Sequence, residues 1–415
     1  MIPAPTITVN GARINATASA YQTAPTAVAP LSITWGRNNL IGHTQPATAT
    51  INIDIPPRTL ITNHAPLGAP VTISDGETGD PYFCGTVHAL EVSGPTSPGG
   101  HARAKITATD WATSLKGARL NVLPGASYES ILPAHGGGQW AAANQESARM
   151  RVERFVRAVR PGATIDMPSG YYSADTTALF TAPMRELGHK HPNVFSSDAW
   201  KNIAHTLTGA ASTIHHTPTK DNENTWTVVP WGEGVPTWMG TLTAARLNGD
   251  ITAKTSIAAR TDLIEATYWY IKNGSAERYD PKPLYRSRTL HTNPQTSTRL
   301  ETDLSAYQQT PGGAKTDLTH VDRLLARTQT ILNANTWNLS NFIPRITDGA
   351  QGSASDTLTR QLLTPTTRCR ISLTLTGLPA WLGLGIYTRV NPLGGTNRWD
   401  GTHWTIELNC ARQIF

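Results

Sequence analysis

Five β-type runs follow one another in fixed order between Ser32 and Val122, and this cassette constrains the fold more than any other part of the chain. They are Ile33–Arg37, Ala47–Asp54, Ala69–Ile73, Phe83–Val92 and Ala104–Asp110, followed at once by Trp111-Ala-Thr-Ser-Leu115. From Ala47 to Asp54, Thr or Asn alternates with Ala or Ile, so one face is apolar and the other polar, as a half-buried antiparallel strand requires. Branched Thr, Val and Ile suit the pleated backbone because their χ1 is already restricted. Gly36, Gly42, Pro56-Pro57, Asp75-Gly76, Gly79 and Pro98-Gly-Gly100 fall between the runs, where turns belong. Short strands at this spacing predict a small barrel or sandwich.

Particular residues in the cassette resemble a known family. Trp35-Gly36-Arg37 ends the first run, Phe83-Cys-Gly85-Thr-Val87 lies in the fourth, and Thr107-Ala-Thr-Asp110 leads to a short helix carrying Leu115. In this order they resemble the start of the tail-hub minor tail proteins of long-tailed phages that infect actinobacteria. The hub part of tail-associated lysins and the hubs of contractile-tailed phages are similar. The C-terminal end is alike too: Gly377-Leu-Pro379, Gly385-Ile-Tyr387 and Trp404-Thr-Ile-Glu-Leu408 resemble the closing strands of such hubs.

The rest of the chain supplies further elements. Asn10-Gly11 between two short apolar runs is a two-residue hairpin signal. The 3.6-residue period predicts a helix over Gln145–Val159, with Asn144 as N-cap, Pro161-Gly162 as stop, and Ala148, Val152, Phe155, Val156 and Val159 on one face. Asp198–Leu207 predicts a second, striped by Trp200, Ile203, Ala204 and Leu207, and Thr225–Val229 a strand after it. Asn248-Gly249 and Asn273-Gly274 mark two more hairpins. Asp317–Leu332 predicts a third helix, and Arg370–Thr376, Leu384–Val390 and Trp404–Asn409 predict three closing strands.

Together these runs predict an α+β, mainly β chain of two small β-barrel or sandwich domains and two mixed α/β domains. The expected boundaries are 1–123 for a ring-forming β domain, 124–236 for a mixed domain, 237–312 for a second β domain, and 313–415 for a helix plus C-terminal sheet packing with that second domain. A length of 415 residues is ample for several cores.

Composition excludes several classes. With 39% hydrophobic and 15% charged residues the chain is not a disordered polyelectrolyte. Its +6 net charge is spread over 35 basic and 29 acidic residues with no Lys/Arg run, so contact with DNA is expected to be transient and unspecific. Cys84, Cys369 and Cys410 are too few for a disulfide framework and are expected to be buried thiols. Met1–Pro5 does not read as a signal peptide, and no run approaches the roughly 20 apolar residues of a membrane span.

Catalytic patterns are weak. His189, His191, His205, His215 and His216 fit no zinc-helix spacing, and no cysteine joins them. No Gly-x-Ser-x-Gly elbow is present, and Gly136-Gly-Gly138 lacks the Lys-Ser/Thr of a phosphate loop. Glu129, Glu146, Asp166 and Glu186 are carboxylates of the middle region, the residue type glycoside hydrolysis needs in pairs. Solvent-facing positions are the ordinary home of such residues. Twelve tryptophans against six phenylalanines are an excess, and Trp140, Trp231, Trp238, Trp337, Trp381 and Trp399 sit in loop-like contexts suited either to packing or to an interface.

The resemblance implies a non-enzymatic virion protein without cofactor, metal or catalytic residues, made in the host cytoplasm and built into the tail tip. It implies a homotrimer that mates with the distal tail protein, receives the tape measure protein's C-terminus, holds tail-tip or receptor-binding proteins, and passes double-stranded DNA. Some such hubs continue into a peptidoglycan-cleaving domain; this sequence stops at Phe415 straight after the last predicted strand, so none is expected here. The alternative is a cell-wall-binding or peptidoglycan-degrading tail protein. In every reading Trp35 is expected in a core and Asp110 at the start of the short helix.

Overall fold

The computed structural model describes residues 2–14, 24–97, 99–118, 148–167, 198–232, 238–244, 247, 261–271, 284–302, 304–308, 316–334, 342–349, 354–378 and 388–413. The N-terminal part forms β1 (Thr6–Val9), β2 (Ala12–Arg13), β3 (Thr26–Gly36), β4 (Gln45–Ile55), β5 (Pro70–Ser74), β6 (Pro81–Ser93), β7 (Ala102–Asp110) and the short helix α1 (Ala112–Gly117). Asn10 and Gly11, both at positive φ, make the tight turn between β1 and β2. All five cassette runs are strands, and β4 shows why: Ala47, Ala49, Ile51, Ile53 and Ile55 are buried while the residues between them are not. Each such isoleucine contributes about 2–3 kcal/mol of burial, and a one-residue slip would turn the whole set to water. The register with β7 accordingly sets Ile51 opposite Ile106 and Ala49 opposite Ala108.

The middle part contains α2 (Ala148–Val159), β8 (Thr164–Asp166), α3 (Ala199–Gly209), β9 (Ser212–His216) and β10 (Thr225–Pro230). Asp198 caps α3, its Oδ1 accepting the Lys201 amide at 2.7 Å. The strands pair β8-β10-β9, and α2 and α3 bury Val152, Phe155, Ile203 and Leu207 against Trp226 and Val228. Beyond them lie β11 (Trp238–Thr243), β12 (Leu263–Ile271), β13 (Leu284–Thr289), β14 (Ser297–Leu300), β15 (Ser305–Gln308), β16 (Thr316–Asp317) and α4 (Thr319–Ala334). Strands β12 to β16 form a five-stranded sheet covered by α4, which turns Val321, Leu324, Leu325, Thr328 and Ile331 inward. The Asn248-Gly249 and Asn273-Gly274 turns lie outside the described residues, although β12 and β13 on either side of the second pair antiparallel.

The C-terminal part adds β17 (Arg345–Thr347), α5 (Ala354–Leu363), α6 (Pro365–Arg368), β18 (Ile371–Thr376), β19 (Thr388–Trp399) and β20 (Trp404–Arg412). The closing strands extend those of the N-terminal part into a single 12-stranded sheet, in the order β11-β18-β19-β3-β4-β7-β6-β5-β1-β2, with β20 and β17 branching from β19. Strand β11, assigned by sequence to the second β domain, runs parallel to β18 in this same sheet. Described residues of the 124–236 and 237–312 segments share one core with α4.

The fold is α+β and mainly β, with the large sheet curled into a half-barrel beside two smaller sheets. Helix α5 closes the large sheet's core through Leu358, Leu362 and Leu363. It is tied to the β5–β6 turn by Arg360, whose Nη1 donates to Asp75 Oδ2 at 2.9 Å. Burial would raise the Asp75 carboxyl, but the Tyr82 hydroxyl, the Thr78 and Glu77 amides and Arg360 together hold it below its ordinary range.

Candidate functional site

Trp35, Gly36 and Arg37, which carry part of the family resemblance, lie where the N- and C-terminal strands join. Strand β19 pairs along one edge with β20, and along the other first with β18 and then with β3. Where it passes from one partner to the other, Gly36 takes a left-handed φ of +81° and its backbone lies against Gly394. A Cβ on Gly394 would stand 2.6 Å from the Trp35 carbonyl oxygen and 2.7 Å from the Arg37 nitrogen, so only glycine fits both sides of the seam. The Arg37 amide donates to the Leu393 carbonyl at 3.0 Å, and the Trp35 indole N–H reaches Asn397 Oδ1 at 3.3 Å. Trp35 is buried, as expected.

The other motif residues also hold the frame. Phe83 and Val87 are in the core of the large sheet, and a Cβ on Gly85 between them would meet the Thr109 carbonyl and Asp110 backbone. Asp110 Oδ1 accepts the Ala112 amide at 3.0 Å at the start of α1, and Leu115 enters the second core. Gly377 leaves β18 at φ +64°. Trp404 opens β20 fully buried, with Tyr82 edge-on at 5.6 Å and Trp399 at 5.6 Å. Pro379 and Tyr387 lie outside the described residues.

Below the seam is a buried polar cluster that sequence did not reveal. Asp110 is in a space shared with His216, 4.0 Å from its Nδ1, and with Arg368, whose guanidinium stacks 4.7 Å from the centre of the Trp35 ring. Burial pushes the Asp110 carboxyl up to about 7 against the pull of the Ala47 and Ala112 amides, Arg368 and Lys116. It pushes Arg368 down to about 10 and the His215 and His216 imidazoles down to about 3, leaving both rings neutral at pH 7. His216 Nε2 donates to the Glu223 carbonyl at 2.6 Å, and His215 faces Thr44 Oγ1 at 3.3 Å. Nothing in the spacing of Arg368 signalled this position, because α5 and α6 were not legible as helices.

A cleft of about 680 Å³ opens on the other side of the 37–45 loop, between that loop, α3 and β14. Arg37 reaches into it while being only 6% exposed; its Nη1 donates to the Gly42 carbonyl at 2.9 Å, and desolvation lowers it to about 9. The same carbonyl accepts the Trp231 indole N–H at 3.1 Å. His43 binds Thr208 Oγ1 at 2.8 Å, and burial, with Arg37 and His205 nearby, lowers it to about 4.

Among the described residues, no group of three or more His, Cys, Asp or Glu side chains is placed to hold a metal ion. His205 pairs with Glu301 at 3.1 Å, Asp166 with Arg370 at 2.8 Å, and His189, His191, Glu129, Glu146 and Glu186 lie outside the described residues. Of the loop-context tryptophans, Trp231 and Trp399 are buried; Trp399 belongs to β19, and Trp140, Trp337 and Trp381 are not among the described residues. All three cysteines are buried free thiols. No described helix is long and apolar enough to cross a membrane.

No protein-family model matches the chain, and no curated protein matches it. Solved structures do. The 43 kDa tail protein of prophage MuSo2 from Shewanella oneidensis is similar over 97% of both chains, at 9% identity and a TM-score of 0.54. The fold is that of a phage tail protein. A tail protein from Neisseria meningitidis is similar over 98% of this chain and 95% of its own, at 11% identity and a TM-score of 0.50. Both likenesses run over nearly the whole of this chain.

Proposed function

We propose that this chain is a structural minor tail protein that forms the trimeric hub at the distal tip of a long-tailed phage of actinobacteria. The carrying observation is the likeness to a prophage tail protein over 97% of both chains, at an identity too low for anything but the shared fold to be responsible. The cassette and C-terminal motifs add support, because Trp35, Gly36, Arg37 and Trp404 build the junction on which that fold depends.

In this reading the chain acts through surfaces and not through chemistry. Heterologous contacts between three copies close a ring. One face of the ring mates with the distal tail protein, the other holds tip or receptor-binding proteins, and the central channel takes the end of the tape measure protein and then DNA. The sheets offer open edges for such contacts: all six residues of β13 are exposed, Leu284 and Tyr285 among them. The test is electron microscopy and solution mass of the purified chain. Particles of three 44.7 kDa copies with threefold symmetry that bind the neighbouring distal tail protein are expected. A monomer at all concentrations that binds no tail protein would overturn the proposal.

A further inference from the structure

The cleft between the 37–45 loop, α3 and β14 has the charge and shape of a receptor for an acidic peptide. Three cations line it, and none of them forms an ion pair with a carboxylate among the described residues. Arg37 is held almost wholly out of water and makes one side-chain hydrogen bond, to a neutral carbonyl. Lys116 Nζ hydrogen-bonds the neutral Gln45 Oε1 at 2.8 Å and acts on the buried Asp110 carboxyl only through space, and among the described residues the exposed Lys201 side chain has no partner. A buried guanidinium without a counter-ion is costly to desolvate, and an incoming carboxylate repays that cost with charge-assisted bonds.

The shape of the cleft selects among anions. Ile41, Ala204 and Leu300 form an apolar wall beside the cations. Asp198 and Glu301 stand on the lining as well, and Glu301 is engaged by His205 at 3.1 Å. These two carboxylates would repel a continuous phosphate backbone, whereas an isolated Asp or Glu flanked by apolar residues places its charge at Arg37 and its neighbours on the wall.

We propose that this cleft docks an acidic, apolar-flanked segment of a partner protein of the tail. The occupant's role as a tail protein rests on the hub reading above; the chemistry of the site does not. Lys201 and Lys116 set affinity from the rim, and Arg37 fixes where the carboxylate sits.

The experiment is selection of short random peptides on the full-length chain. Enriched peptides are then synthesised and titrated against wild type, Lys201→Glu, and the double variant Lys201→Glu with Lys116→Glu. Peptides carrying Asp or Glu beside apolar residues are expected, with affinity falling at least about tenfold in the double variant and falling with added salt. Lys105→Glu, a charge reversal on the exposed face of β7, should leave binding unchanged. Lys201 is exposed on α3, so its single variant keeps the fold and should still weaken binding. No enrichment, peptides without acidic residues, or equal binding by the double variant would overturn the proposal. So would binding of a short DNA duplex that the same substitutions abolish while no acidic peptide is selected. Absence of peptide binding by an intact trimer would sink the cleft alone, while a monomer that still binds acidic peptides would sink only the hub.

Discussion

Replacing Gly36 by alanine tests the seam that holds the two ends of the chain in one sheet. Two costs arise there. A side chain at φ +81° costs about 1–2 kcal/mol. The new Cβ would overlap Gly394 Cα and the Leu393 carbonyl oxygen, both backbone atoms that no rotamer change can move aside. Overpacking of this kind costs about 1–3 kcal/mol, so Gly36→Ala should lose roughly 2–5 kcal/mol in all. Gly11→Ala is the matched control: its φ of +78° is nearly the same, and a Cβ there would meet nothing within 4 Å. It should lose only the conformational part, about 1–2 kcal/mol. Urea unfolding followed by tryptophan fluorescence reads the difference, since Trp35 adjoins the seam and Trp399 lies farther along the same β3–β19 ladder. Gly394→Ala, whose φ is not left-handed, should lose the overpacking part alone, about 1–3 kcal/mol, and the double variant should cost little more than Gly36→Ala because both open one seam. Equal losses for Gly36→Ala and Gly11→Ala would refute the close-approach argument.

Two other outcomes follow from buried groups. Asp110 has a folded pKa raised to about 7, so the folded state holds a proton that the unfolded chain releases from about pH 4 upward. Its contribution is therefore fully present below pH 4 and lost as pH rises to 7 and beyond; the loss is at most about 4 kcal/mol. The stability of Asp110→Asn minus that of wild type should increase from pH 4.5 to pH 7.5 in paired urea titrations, and a flat difference would show that Asp110 is not desolvated as described. Cys84, Cys369 and Cys410 are buried, with burial pushing Cys84 up to about 12, Cys369 up to about 11 and Cys410 higher still. Ellman's reagent should find no fast-reacting thiol in the native protein and three after denaturation; a fast native thiol would contradict the packing of the strand that carries it.

Periodicity made much of the local structure legible. The five cassette strands, the Asn10-Gly11 turn and the three long helices all stand where alternation or a 3.6-residue stripe placed them. Helices α5 and α6 escaped because Thr364-Pro365 reads as a break, and proline at the first turn of a new helix gives the same local signal as a stop. Strand β19 was expected to end at Val390 and instead runs on to Trp399, through Pro392, Gly394 and Gly395. Those residues signal a turn in isolation. In the sheet the glycines are demanded by neighbouring strands: Gly394 by Trp35 and Arg37, far away in sequence, and Gly395 by the Glu407 carbonyl of β20.

The candidate cleft was less legible still. Arg37 stood out in the cassette, but Lys116 and Lys201 are ordinary helix-surface lysines until the fold sets them around one opening. The chain's own pattern determined which residues face inward and where strands begin, because alternation and stripes are local properties of a few residues. Only tertiary structure decided that the last strands join the first domain, that Asp110, His216 and Arg368 share one buried space, and that Arg37 has no counter-charge among the described residues. Each of those depends on backbone approach and desolvation between segments far apart in sequence, 362 positions in the case of Trp35 and Asn397, and local sequence carries no record of either.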